Sequence, residues 1–121
     1  MPTFNEPIHA AEFILSESNG DRSREPVTVL SGQNLRSATV LGRITTGGRV
    51  RELNTAGSDG SQNAMGVLYA AVNAAGADAP GVAVVRDAEV RASSLQFPTG
   101  ITALQRTAAI AQLATLGIIV R

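Results

Sequence analysis

Short apolar runs alternate with small polar turns along most of the chain, a two-residue rhythm that predicts strands. PVTVL at residues 26–30 is β-branched and is followed by the turn-forming SGQN. ATVLGRIT at 38–45 reads as a second strand, with Gly42 at a bulge or a close approach of another backbone. TGG makes a tight turn, and RVREL at 49–53 is the expected hairpin mate. NTAGSDGSQN at 54–63 is a polar loop in which Asp59-Gly60 suits a positive φ. AMGVLYAAV at 64–72 reads as one buried strand, and NAAGADAPG at 73–81 as a loop of small residues. VAVVRDAEVR at 82–91 is expected as one strand. Val82, Val84, Ala88 and Val90 would share a core face interrupted by Arg86, with Asp87, Glu89 and Arg91 on the other.

A helical pattern emerges near the C-terminus. Thr102 with Gln105 three residues later has the form of a capping box. ALQRTAAIAQLATL at 103–116 is rich in helix formers, with Gln105 and Gln112 on one face and Ala103, Ile110 and Ala114 on the opposite one. Gly117 suits the helix end, and IIV at 118–120 a last strand. The expected fold class is α+β: a β-rich, small barrel-like body with one C-terminal helix and an extended N-terminal arm.

The arm is drawn at residues 1–25 and the body at 26–121. Pro2 and Pro7 favour extended backbone in the arm, and Phe4, Ile8 and Phe13 stand as apolar residues on a polar ribbon. EFILSE at 12–17 could pair as a short strand before the Asn19-Gly20 turn. Such a ribbon cannot bury enough surface alone to offset its ordering entropy. It is either a free tail or a segment that orders on a partner.

Composition narrows the chemistry. Hydrophobic residues make up 44% of the 121 residues but aromatics only 3%, so the core is built largely of small side chains. A thin core in a short chain points to burial completed by association. Cysteine is absent, which excludes disulfides, thiolate nucleophiles and zinc-thiolate sites. No apolar run approaches the ~20 residues of a membrane span, and the N-terminus has no basic-then-apolar layout, so no membrane partner is expected. Net charge is zero and all ten basic residues are arginine, which gives no basic footprint for nucleic acid.

Catalytic readings find little support. His9, the only histidine, lies in the arm, away from any serine it could activate. Asp87 and Glu89 share a strand face in this reading, and ion pairs with Arg91 satisfy them more simply than a cation. The stretch TVLGRITTGGRVREL resembles hairpins of biotinyl and lipoyl carrier domains, but those present a lysine and this chain has none. No catalytic residue, cofactor or metal is expected. A small β-barrel that binds a ligand remains the alternative class.

Four segments in order carry a more extensive resemblance: LRSATVLGRITTGGRVREL, DGSQNAMGVLYAAVNA, VVRDAEVRASSLQFPTG and LATLGIIVR. From about Ser23 to Arg121 the chain resembles the lambda-type bacteriophage head decoration proteins. Those proteins usually have an aromatic residue, often tryptophan, before proline in the third segment; Phe97 precedes Pro98 here, which keeps the apolar role. The resemblance implies a non-enzymatic homotrimer, assembled in the host cytoplasm on the outside of the expanded head at local threefold positions. It implies the major capsid protein as partner and an N-terminal arm that adds to capsid β-structure. The candidate contact residues are then Pro2, Thr3, Phe4, Ile8 and Phe13.

Overall fold

The computed structural model describes residues 13–17 and 22–121. Turn residues divide this part of the chain into short strands β1 (Ile14–Glu17), β2 (Arg24–Val29), β3 (Gln33–Leu35), β4 (Val40–Arg43), β5 (Val50–Glu52) and β6 (Ala64–Leu68). β7 (Val72–Ala74), β8 (Ala79–Val84) and β9 (Ala88–Val90) precede the helix α1 (Ala103–Thr115) and the final strand β10 (Ile118–Val120). The order β2-β5-β4-β6-β8 closes a barrel, while β1-β9-β10 form a three-stranded sheet and β3-β7 a pair. The expected α+β class, barrel-like body and single C-terminal helix are all present.

The hairpin of β4 and β5 forms as the turn glycines predict. Leu41 faces Glu52 and Arg43 faces Val50, and the tip carries Gly47 and Gly48 at positive φ. Gly42 fulfils both expectations placed on it. The β4–β6 register shifts between Leu41 and Gly42, and a Cβ at Gly42 would lie 2.1 Å from the Ser61 carbonyl oxygen. The polar loop is thereby laid against the barrel wall, where Thr45 N donates to Asp59 O at 2.8 Å and Asn54 N to Ser61 O at 2.9 Å. Hydrogen bonds from the Ser61 hydroxyl and backbone N–H hold the Asp59 carboxyl below its usual range.

Both long strands expected from apolar runs are broken. Residues 64–72 divide into β6 of the barrel and β7 of the β3-β7 pair, with a bend at Tyr69 to Ala71. Residues 82–91 divide into β8 of the barrel and β9 of the three-stranded sheet. Asp87, at φ 52, turns the chain between them, and Arg86 and Asp87 are exposed at the bend. Part of the expected 73–81 loop is also strand, because Ala74 closes β7 and Ala79, Pro80 and Gly81 pair with β2.

The capping box is present: Gln105 N donates to Thr102 Oγ1 and Thr102 N to Gln105 Oε1, both at 3.1 Å. The face of the helix that turns inward was left open by the sequence pattern. Ala109 and Leu113 are buried, whereas Ala103 and Ala114 face solvent and Ile110 is half-buried. Gln112 turns inward, accepting from Ala64 N at 2.8 Å and donating to Asn63 Oδ1 at 2.9 Å. The first N–H of β6 needs an acceptor there, and this glutamine supplies it. Thr102→Ala is expected to lower unfolding free energy by about 1 kcal/mol, read from the urea midpoint at unchanged slope.

Two clusters make the core. Val29, Leu41, Val50, Leu68, Ala83 and Val85 fill the barrel interior. Phe13, Leu53, Val67, Val90, Leu113 and Ile118 pack between barrel, helix and three-stranded sheet. Among the described residues, strand pairing is present from Ile14 onward, and residue 26 lies inside β2.

Candidate functional site

Pro2, Thr3, Phe4 and Ile8 lie outside the described residues, as does His9. Phe13 does not stand on a polar ribbon: its side chain is fully buried in the cluster with Val90, Leu113 and Ile118. An enclosed side chain has no surface to offer a second protein. Phe13 thus lies in the core of the described structure, at the start of the segment that pairs with β9.

Backbone pairing around Phe13 holds β1 in the three-stranded sheet. Arg91 N donates to Phe13 O at 2.8 Å, and Ile14 faces Val90. A register shift between Ile14 and Ser16 bends β1 before Glu17 meets Ala88. Glu17 then accepts from the Ser23 hydroxyl and is held by the Arg24 guanidinium. Among the described residues β1 is an edge strand of its sheet, with Leu15 exposed. An edge strand leaves a row of backbone donors and acceptors that another strand can join.

The Glu17 carboxyl has a directional consequence. Its burial raises the pKa, but hydrogen bonds from Arg24 and Ser23, with the Arg24 charge, outweigh that and hold it below the usual range. A depressed folded-state pKa contributes stability above the unfolded value, about 4.3 for glutamate, that is lost as pH falls through the folded value. Wild type is therefore expected to lose stability on acidification below pH ~4.3, more steeply than Glu17→Gln. Urea midpoints between pH 3 and 7 check this, and parallel curves would contradict it.

Asp87 and Glu89 are ion-paired as expected, but not with Arg91. Asp87 accepts from Arg22 Nε at 3.1 Å and Glu89 from Arg121 Nε at 2.7 Å. The bend at Asp87 takes these two carboxylates off a common strand face. Glu25 bridges two arginines, at 3.5 Å from Arg43 and 3.3 Å from Arg86, where three shallow hollows adjoin. Among the described residues, no group of three or more histidine, cysteine or carboxylate side chains could hold a metal ion. No helix among them is long and apolar enough to cross a membrane.

The burial of Phe13 was missed from sequence, although a signal exists. Phe13, Ile14 and Leu15 are three consecutive apolar residues, whereas Phe4 and Ile8 stand singly between polar neighbours and prolines. The family model described as bacteriophage lambda head decoration protein D matches residues 3–118. No curated protein matches the chain significantly.

Proposed function

Because the chain belongs to the family of bacteriophage lambda head decoration protein D, we propose that it braces the expanded head from outside as a homotrimer at local threefold positions. The family is a structural one, and its place is the virion capsid. The observation that carries the proposal is the extent of the match, which starts at residue 3 and so includes the arm with the body.

The proposal divides labour between the two parts. Residues 1–12 attach to the major capsid protein, with Pro2, Thr3, Phe4 and Ile8 as contacts. The body, fastened to them through Phe13 and Glu17, is the rigid brace. Zero net charge suits a protein that coats protein and leaves DNA alone. The alternative of a ligand-binding barrel has less support, since side chains fill the barrel interior.

Sedimentation at micromolar concentration should give about three times the 12.5 kDa chain mass. Heads saturated with the protein should survive heating or chelation that opens bare heads, because a ligand of the assembled state alone stabilises that state. Equal survival of bare and coated heads would remove the bracing role.

A further inference from the structure

A cyclic homotrimer joins unlike surfaces, so each chain must carry two different faces that fit each other. Resting on the trimer reading above, we infer that these faces are the outer side of α1, centred on Leu104, and the hollow lined by Tyr69 and Val82. Each would be covered by a neighbouring copy of this chain.

The helix presents the projecting face. A helix whose far side meets water ordinarily carries charges there. On α1 the exposed side holds Leu104, Thr107, Ala108, Ala111 and Thr115, with no formal charge among them. Leu104 is 81% exposed, well above any other large hydrophobic side chain among the described residues. Arg106, the helix's charged residue, lies over the Phe97 ring at 5.0 Å, on another side of the helix. The small neighbours of Leu104 would let a partner's backbone come close.

The receiving face lies on the outside of β2 and β8. Pro26 faces Val82 and Thr28 faces Pro80 across this pair, and all four are exposed and uncharged. Beside them Tyr69 is half-buried under the Arg24 guanidinium, 4.2 Å from its centroid, and Glu17 holds that arginine in place. The hollow so formed is open to solvent and offers about 280 Å³, room enough for a docked side chain. Tyrosine and arginine are the residue types enriched at the centres of protein contacts.

A second copy fits this pair of faces on shape and on charge. One is convex and one concave, and neither carries an unpaired charge that would repel its counterpart. The neutral chain adds no long-range repulsion between copies.

The absence of cysteine makes the test clean, because introduced thiols have no competitors. Leu104→Cys/Val82→Cys treated with a short thiol–thiol cross-linker should give a covalent trimer, and each single variant should stay uncoupled. Leu104→Arg should weaken self-association at least a hundredfold, the order expected of a central contact residue, with far-UV dichroism unchanged. A double variant that sediments as a trimer but never cross-links would overturn this assignment and leave the trimer reading intact. So would Leu104→Arg that stays trimeric, or Leu104→Cys that couples to itself. A wild-type protein that is monomeric throughout the micromolar range would overturn both.

Discussion

Removing residues 1–12 is expected to leave a folded trimer that no longer stays on expanded heads. The truncation ends just before Phe13, so it spares the buried phenylalanine, the β1–β9 pairing and the Glu17–Arg24 ion pair. Three arms on one trimer engage as a linked set, so each contact can be weak while avidity rises by ~10²–10⁴ over a single arm. Losing all three removes that whole factor, which pelleting with heads at micromolar protein would show as complete release. Phe4→Ala should weaken retention while leaving the thermal transition of the free protein unchanged. A truncated trimer that pellets normally would move the attachment site onto the body.

Phe13→Ala is expected to do the opposite, lowering stability by about 3–5 kcal/mol, as phenylalanine truncations in packed cores do. The side chain is fully buried, and its cluster includes Ala38, Ala64, Ala88 and Ala109, which are too small to close the space left behind. Paired strands on several sides fix their positions, so the cavity would persist. For a chain of this size the melting temperature should fall by more than ~10 °C. A loss below ~1 kcal/mol would mean that Phe13 does not fasten the arm. The two phenylalanines of the N-terminal region thus separate attachment from stability: Phe4→Ala affects the first and Phe13→Ala the second.

What the sequence revealed and what it concealed follow from the range of the interactions. The capping box of Thr102 and Gln105 and the β4–β5 hairpin were legible because each is decided within a few residues. Gly42 was legible as a special position, but not that Ser61 was the backbone approaching it, since Ser61 arrives through a loop. The break between β8 and β9 was concealed by parity. Val84, Ala88 and Val90 keep the even-numbered rhythm and are all buried, although Asp87 turns the chain between two sheets.

The inward face of α1 was concealed for a different reason. Alanine occurs on both sides of this helix, so apolar periodicity is weak and a tertiary hydrogen bond from Ala64 N to Gln112 decides the rotation. The same feature leaves Leu104 outside. At the candidate site, the apolar triplet Phe13-Ile14-Leu15 marked strand β1, but its burial depends on β9, β10 and α1, which lie some seventy to a hundred residues further along.

Recognition of the expanded capsid can be read from pelleting of the purified protein with undecorated heads. Expanded heads and compact precursor shells are offered the same protein at micromolar concentration. Saturable retention is expected on expanded heads, in multiples of three chains per threefold position, and none on precursor shells. Protein that stays in the supernatant with expanded heads, or that pellets equally with both shells, would contradict it.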